Sequence, residues 1–340
     1  MQELTLKDWL DAQMRDFGLD ADLVRLLTGV AAVSRDISRL VEAGALGGIL
    51  GLHGTQNVQG EEQKELDVVS NEMMVKAVFD TGVVAACASE ELDHSLPAPA
   101  ADGVRRPYLI CFDPLDGSSN IDINVSIGTI FSVLVNPRSD ASAPTDEDFL
   151  QPGDRQLAAG YVIYGPQTQM VFTVGRGVNM FTLNPRTGEY ILTNANVKVP
   201  ESAKEFAINC SNMRHWEQPV KRYIAELLEG TTGVRGKDFN MRWVAAMVAE
   251  VHRILCRGGI FMYPRDNRDP SRPGKLRLMY EANPMSWLME QAGGRATNGR
   301  TRILGLVPEK LHQRVAVFLG AREEVERVTA YHLEEDGGRC

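Results

Sequence analysis

The sequence predicts an α/β protein of the layered α+β type, in which helices alternate with mixed β-sheets in two subdomains. Short apolar runs typical of buried strands follow segments with helical periodicity in the first part of the chain. Several strand patterns then succeed one another without an intervening helix, which favours a mixed sheet over a purely parallel one. The second half alternates strands and helices. We place the boundary near Pro200, giving subdomains 1–200 and 201–340.

Apolar residues in the first half recur at helical spacing in two segments, 23–41 and 61–78, separated by a glycine-rich loop at 47–54. Two buried strands, 83–88 and 108–112, come next. The rest of this half is predicted to contain a surface loop at 137–154 and strands at 126–136, 158–165, 169–174, 178–183 and 189–192.

The second half yields the remaining elements. We predict strands at 207–210, 259–263, 275–280 and 315–318, and helices at 218–228, 242–255, 284–292 and 323–333. The helix at 284–292 is closed by Gly293 and Gly294, which are typical of helix ends.

Composition limits the classes of partner. The 340 residues are 44% hydrophobic and carry a net charge of −9, which disfavours nucleic acid. No apolar run reaches membrane-spanning length, and the acidic N-terminal residues do not form a signal peptide. Five scattered cysteines indicate a reducing compartment without disulfides, with Cys87, Cys111 and Cys256 expected to be buried. We therefore expect a cytoplasmic protein that binds neither membranes nor nucleic acid.

The stretch from Asp113 to Asp122 is the strongest motif. A buried strand delivers two carboxylates, Asp113 and Asp116, at its carboxyl end, and Pro114 forces a turn there. Gly117 permits unusual backbone torsions, while Ser118, Ser119 and Asn120 are good helix N-caps. Carboxylates bind Mg²⁺ or Mn²⁺ and a helix N-terminus binds phosphate, so one loop could hold both.

A second acidic pair, Glu90 and Glu91, follows the strand at 83–88. If this strand lies parallel to the one before Asp113, all four carboxylates meet at one edge of the sheet, where ligands bind in α/β proteins. Clustered anions repel one another, which favours a metal ion between them.

The Asp113–Asp122 motif resembles the signature of the metal-dependent, lithium-sensitive sugar and inositol phosphatase superfamily. Its continuation, Ser118–Asp122, resembles the class I fructose-1,6-bisphosphatase branch. Further blocks that carry the resemblance are 66–68 with 70–71, 89–91, 258–264 and 274–285. The resemblance spans the chain from about residue 61 to its last helix, and it implies the sugar phosphatase fold and a homotetramer.

The resemblance also implies roles for acidic residues. The metal ligands would be Glu90, Asp113, Asp116, Glu281 and the Leu115 carbonyl. Glu91 would position the attacking water, and Asp67 and Glu61 would assist its activation, although the family often has Asp at the position of Glu61. The expected metal is Mg²⁺, which Mn²⁺ could replace in vitro.

Other residues are implied in substrate binding. Asp116 and the N–H groups of Gly117, Ser118 and Ser119 would hold the transferring phosphoryl group. The far phosphate and the sugar would be held by Asn212, Trp243, Met247, Tyr263 and Lys275, with Arg242 supplied by a neighbouring subunit. Trp243 replaces the family's usual Tyr and offers only an indole N–H, so a packing role is the alternative.

The function implied is hydrolysis of the 1-phosphate of fructose 1,6-bisphosphate to fructose 6-phosphate, in gluconeogenesis or the Calvin cycle. Sedoheptulose-1,7-bisphosphatase activity, alone or in addition, is one alternative. Inositol or nucleotide monophosphate hydrolysis is another, and a sugar-phosphate-binding regulator without catalysis is a third. The family's AMP-binding loop, which is rich in Gly and Thr, would fall at 18–23. Here Asp20 and Asp22 lie where the nucleotide phosphate would bind, and Pro107 replaces a lysine. We therefore expect weak or absent AMP inhibition.

Overall fold

The computed structural model describes residues 3–47, 52–56, 62–99, 104–138, 140, 142–269 and 272–337. Glu61 and part of the predicted loop at 47–54 lie outside the described residues. The α-helices in this part of the chain are α1 (Leu6–Phe17), α2 (Ala21–Ala43), α3 (Glu65–Asp80), α4 (Asp146–Phe149), α5 (Gln218–Glu229), α6 (Met247–Arg257), α7 (Asn283–Gln291) and α8 (Arg322–Gly337).

The strands follow in chain order. They are β1 (Leu52–Gln56), β2 (Glu62–Lys64), β3 (Val84–Ser89), β4 (Leu96–Pro97), β5 (Tyr108–Asp116), β6 (Ile127–Val135), β7 (Ala158–Tyr164), β8 (Gln169–Thr173), β9 (Val178–Leu183), β10 (Tyr190–Val197), β11 (Glu205–Ala207), β12 (Asn240–Met241), β13 (Ile260–Tyr263), β14 (Leu276–Arg277), β15 (Arg295–Thr297), β16 (Arg314–Val315) and β17 (Val317–Gly320).

Two mixed sheets organise these strands. The larger has the order β10-β9-β8-β7-β6-β5-β3-β4, in which β3 and β5 are parallel and the other neighbours are antiparallel. The smaller has the order β12-β11-β13-β17-β15 and is parallel only around β11. Two short pairs, β1 with β2 and β14 with β16, lie outside them.

Three of the four apolar cores among the described residues stack these elements into five layers. The first core lies between helices α1–α3 and one face of the larger sheet, where Leu26 and Phe172 are fully buried. The second joins the opposite face to α6, α7 and the smaller sheet. The third lies between the far side of the smaller sheet and helices α5 and α8. The order is therefore helix, sheet, helix, sheet, helix, which confirms the predicted layered α/β class.

The segment 242–255 differs from its prediction, because helix α6 begins only at Met247. Ala245 has a φ of +63°, and Ala246 is extended, so neither can belong to a right-handed helix. Trp243 therefore lies in a non-helical segment, and its ring stacks on that of Phe261 with the ring centroids 6.2 Å apart.

Several other boundaries shift for physical reasons. The predicted strand at 275–280 is a two-residue strand followed by a π-helical turn, Leu278–Ala282, in which every residue is buried and alternation is lost. The helix predicted from residue 61 begins at Glu65, after the short strand β2. The strand predicted at 207–210 ends at Ala207 and is followed by a 3-10 helix, Cys210–His215.

Two further predictions need correction. The loop at 137–154 contains α4, anchored by the fully buried Phe149. Cys87 and Cys111 are buried as predicted, but Cys256 is exposed because it lies on the outer side of the last turn of α6.

Helix α1 was not predicted. Within the described residues, none of the helices has both the length and the apolarity needed to cross a bilayer.

Candidate active site

A cavity of about 590 Å³ lies where the carboxyl ends of β3 and β5 face α6 and the π-helical turn. It brings together most of the residues singled out in the sequence. These are Asp67, Glu90, Glu91, Asp113, Leu115, Asp116, Gly117, Ser118, Ser119, Trp243, Met247, Tyr263, Lys275 and Glu281. Asn212 and Arg242 do not line it, and Glu61 is outside the described residues.

The parallel pairing of β3 and β5 places the first acidic residues side by side. Ser89 is in register with Phe112, and the Glu90 N–H donates to the Phe112 carbonyl at 3.1 Å. Glu90 therefore leaves its strand next to Asp113. This is the arrangement expected from neighbouring carboxyl ends in one sheet.

Three carboxylates converge more closely. Asp113, Asp116 and Glu281 each offer an oxygen atom, and these atoms lie within 4.8 Å of one another, with all three residues buried. A register shift in the pairing of β5 with β6 separates Asp113 from Asp116 and directs both to the cavity. Glu281 comes from the π-helical turn of the second half. Irregular backbone thus positions carboxylates of the cluster in both halves of the chain.

Burial disfavours the ionised form of these carboxyl groups and of the neighbouring Glu90. It raises the pKa of Asp116 to about 7 and of Glu90 to about 8, and raises the pKa of Asp113 well above its usual value. One oxygen of Glu90 is buried without a hydrogen-bond partner among the described residues. Oxygen donors with excess negative charge suit a hard divalent cation, so these residues fit such an ion.

Arg277 also lines the cavity and contacts the acidic residues, although it was not among the residues predicted from the sequence. Its guanidinium lies 2.7 Å from a Glu90 oxygen and 3.9 Å from Glu281, and its backbone N–H donates to Glu281 at 2.6 Å. The side chain is 6% exposed, so the ion pair is shielded from water. An arginine four residues before the expected ligand Glu281 was the available signal.

The loop after Asp116 fits closely against the second half of the chain. Gly117 has a φ of +80°, and a Cβ there would lie 2.6 Å from the Ala246 methyl carbon, so only glycine fits. A 3-10 helix, Ser118–Ile123, follows. The Asn120 side chain donates to the Val244 carbonyl at 3.0 Å. Backbone N–H groups at the start of such a helix have no partner within it and can bind an anion.

Asp67 occupies the third position of α3 and faces the same loop. Its carboxylate accepts the Lys64 N–H at 2.9 Å and a hydrogen bond from Ser118. Burial raises the pKa of Asp67 to about 7, and the neighbouring Glu91 adds to the effect. A carboxyl group that titrates near neutral pH is suited to general base catalysis.

Residues of the second half give the cavity an aromatic and cationic wall. The Trp243 ring lies 6.1 Å from Tyr263, and the Lys275 ammonium lies 6.0 Å from the centre of the Tyr263 ring. Asn209 also lines the cavity, whereas the predicted Asn212 lies outside it and accepts a hydrogen bond from Arg268 at 3.2 Å. Asn209 is therefore a further candidate for a contact in this cavity, beside the predicted Asn212. Its position two residues after the end of β11 was a usable signal.

Arg242 is half-exposed beside the cavity. Its guanidinium lies 3.5 Å from Glu205, which also pairs with Arg253 and Arg257. It does not reach the cavity of its own chain.

Comparisons with known proteins cover nearly the whole chain. The family model described as "Fructose-1-6-bisphosphatase, N-terminal domain" matches residues 5–195, and that of the C-terminal domain matches residues 199–333. The holo structure of fructose-1,6-bisphosphatase from Leishmania major is similar, with 35% identity and a TM-score of 0.89, over 97% of this chain and 99% of that one. The apo form of the same enzyme has 33% identity and a TM-score of 0.84, over the same shares.

Proposed function

Because the chain belongs to the fructose-1,6-bisphosphatase family and is a phosphatase, we propose that its cavity removes the 1-phosphate of fructose 1,6-bisphosphate, giving fructose 6-phosphate and phosphate. The observation that supports this most directly is the buried carboxylate cluster, which lines one cavity together with the loop at Gly117 and the cation Lys275. A substrate with phosphate at both ends matches that arrangement.

Family membership implies dependence on a divalent metal, and we propose Mg²⁺ held by Glu90, Asp113, Asp116, Glu281 and the Leu115 carbonyl. When bound, the ion would offset the negative charge of the phosphate and lower the pKa of a bound water. The N–H groups of Gly117, Ser118 and Ser119 would hold the phosphoryl oxygens. Asp67, with Glu91, would accept the proton of the attacking water because its pKa lies near 7.

The remaining contacts would hold the sugar and its second phosphate. Lys275 supplies a cation, and Tyr263 and Asn209 supply neutral hydrogen-bonding groups. Arg242 is exposed outside the cavity of its own chain, so we propose that it contacts substrate in a neighbouring subunit of a homotetramer. We propose a cytoplasmic role in carbohydrate biosynthesis. The comparisons do not favour the sedoheptulose alternative or a regulator without catalysis.

Asp116→Asn tests the function. We expect it to lower kcat for fructose 1,6-bisphosphate by more than about 100-fold, because direct ligands matter more than the outer partners whose loss costs roughly 10–100-fold. Phosphate release would be measured at saturating Mg²⁺, with sedoheptulose 1,7-bisphosphate as a second substrate. The matched control is Asp80→Asn, whose carboxylate is 61% exposed at the end of α3. Wild-type protein without phosphate release, or an active Asp116→Asn variant, would contradict the proposal.

A further inference from the structure

A short segment of the second half, His312–Val315, connects the two stretches that carry the acidic cluster; we call it the bridging segment. Its residues Arg314 and Val315 pair antiparallel with Arg277 and Leu276. The Gln313 carbonyl accepts the Leu278 N–H at 2.7 Å, where the π-helical turn begins. The backbone of the bridging segment thus fixes the turn that carries Glu281.

The side chain of His312 makes the second connection. Its Nε2 lies 2.9 Å from the Leu92 carbonyl oxygen, across 220 positions of sequence. A carbonyl can only accept, so the geometry assigns the proton to Nε2. Burial lowers the pKa of this imidazole, which favours its neutral form. The ring also lies 5.2 Å from that of Tyr280, the residue before Glu281.

Leu92 belongs to the turn that presents Glu90 and Glu91. Two hydrogen bonds in this turn are local: Ser89 accepts from the Glu91 N–H at 3.2 Å and from the Leu92 N–H at 3.3 Å. They shape the turn without setting its distance from the second half. Farther along, Asp146 accepts from the backbone and side chain of Ser95 and lies 2.8 Å from His94.

The ion pair between Arg277 and Glu90 also joins the two stretches. It uses a carboxylate oxygen that a metal ion would need, however, so it competes with the ion. The His312 hydrogen bond goes to a backbone carbonyl and leaves every carboxylate oxygen available. It can therefore persist when the ion is bound.

We propose that His312 is a positioning residue that holds Glu90 and Glu91 at the spacing from Glu281 that metal binding requires. This inference rests on the proposed function, because it assigns the carboxylates to a metal. Partners of metal ligands typically contribute 10–100-fold to metal affinity. His312 acts one step further out, through the backbone of the turn, so we expect an effect near the lower limit.

The test compares three variants by titrating the metal-free protein with Mn²⁺ in a calorimeter, without substrate. We expect His312→Ala to raise the Kd for Mn²⁺ by roughly 10-fold. His312→Gln should stay within about 3-fold of wild type, because its carboxamide N–H can donate to the same carbonyl. His94→Gln is the control: its side chain is 82% exposed, and Ser95 keeps two hydrogen bonds to Asp146.

Kinetics gives an independent comparison. His312→Ala should raise the Mg²⁺ concentration for half-maximal activity by a similar factor and leave KM for fructose 1,6-bisphosphate unchanged at saturating Mg²⁺. Unaltered Mn²⁺ affinity in His312→Ala would overturn the proposal, and so would an equal loss in the Ala and Gln variants. If wild-type protein bound Mn²⁺ but released no phosphate, the proposed function would fail, while the calorimetric comparison would still decide the role of His312.

Discussion

Ala245 is held in a backbone conformation that alanine normally avoids. Its φ of +63° lies in the left-handed region, and the other non-glycine residues with positive φ in the described chain, Asn124 and Asn196, are of a type that tolerates it. The preceding residue is fixed on both sides: the Val244 N–H donates to Glu250 at 2.6 Å, and its carbonyl accepts from Asn120 at 3.0 Å. These contacts hold the Trp243 segment against the loop at Gly117.

Ala245→Gly should therefore stabilise the protein. Removing the methyl group relieves a strain of about 1–2 kcal/mol, and the greater freedom of glycine in the unfolded chain offsets about 0.5–1 kcal/mol of it. We expect a net gain of roughly 0.5–1 kcal/mol in the free energy of unfolding, measured with urea. The neighbouring Ala246→Gly is the control, since it is extended and buried against the second core, and it should destabilise. A destabilised Ala245→Gly variant would disprove the strain.

At the scale of one helix, the N-terminus of α2 is already occupied by an anion of its own. Asp20 accepts the N–H groups of Asp22 at 2.8 Å and Leu23 at 3.1 Å, and the hydroxyl of Tyr108 at 2.7 Å. The Tyr108 hydrogen bond holds the pKa of Asp20 below its usual value. A fixed carboxylate would repel a phosphate at this helix end.

We accordingly expect AMP not to inhibit at micromolar concentrations. Repulsion from Asp20 and Asp22, and the absence of free N–H donors at Asp22 and Leu23, are the physical reasons. The measurement is an AMP titration of initial rates at fixed Mg²⁺ and subsaturating fructose 1,6-bisphosphate. Inhibition with a midpoint in the micromolar range would show that AMP binds here or elsewhere despite these acids.

Elements with a long, regular pattern could be predicted from sequence, and elements defined by distant contacts could not. Helix α2, predicted over 23–41, spans Ala21–Ala43, because its apolar face alone marks it. The predicted start of helix α6 was several residues too early. Only the close approach of Ala246 to Gly117 and the positive φ of Ala245 show that the segment before it is not helical. Glu90, Asp113 and Asp116 could be placed together because strand ends meet at one sheet edge, whereas Glu281 was indicated only by the family resemblance. His312 could not be identified, because its partner lies 220 positions away.

At the scale of the molecule, the five layers leave a cluster of buried acids at the junction between the halves. Asp113 and Asp116 belong to the larger sheet, whereas Glu281 comes from the π-helical turn before α7. Carboxyl groups with raised pKa values stabilise the fold while protonated. That contribution is complete below their unfolded pKa of roughly 4 and is lost as pH rises through the folded values, about 7 for Asp116 and about 8 for Glu90.

The metal-free protein should therefore lose thermal stability between pH 5 and pH 8.5. We expect Tm in EDTA to fall across this range, and Mg²⁺ to remove most of the fall because the cation stabilises the ionised carboxylates. Scanning calorimetry with and without Mg²⁺ measures both curves. The Asp116→Asn variant should show a shallower decline in EDTA, because one of the titrating groups is gone. Parallel curves with and without Mg²⁺ would contradict this account.

The division of the acidic cluster between two parts of the polypeptide has a thermodynamic consequence. A fragment ending near Pro200 would carry Asp113 and Asp116 without Glu281, and the complementary fragment would carry Glu281 alone. Neither could bind a cation as the intact protein does, so the free energy of ion binding is also free energy of association between the fragments. In this fold, binding of the ion and association of the two fragments are therefore thermodynamically linked, and each favours the other.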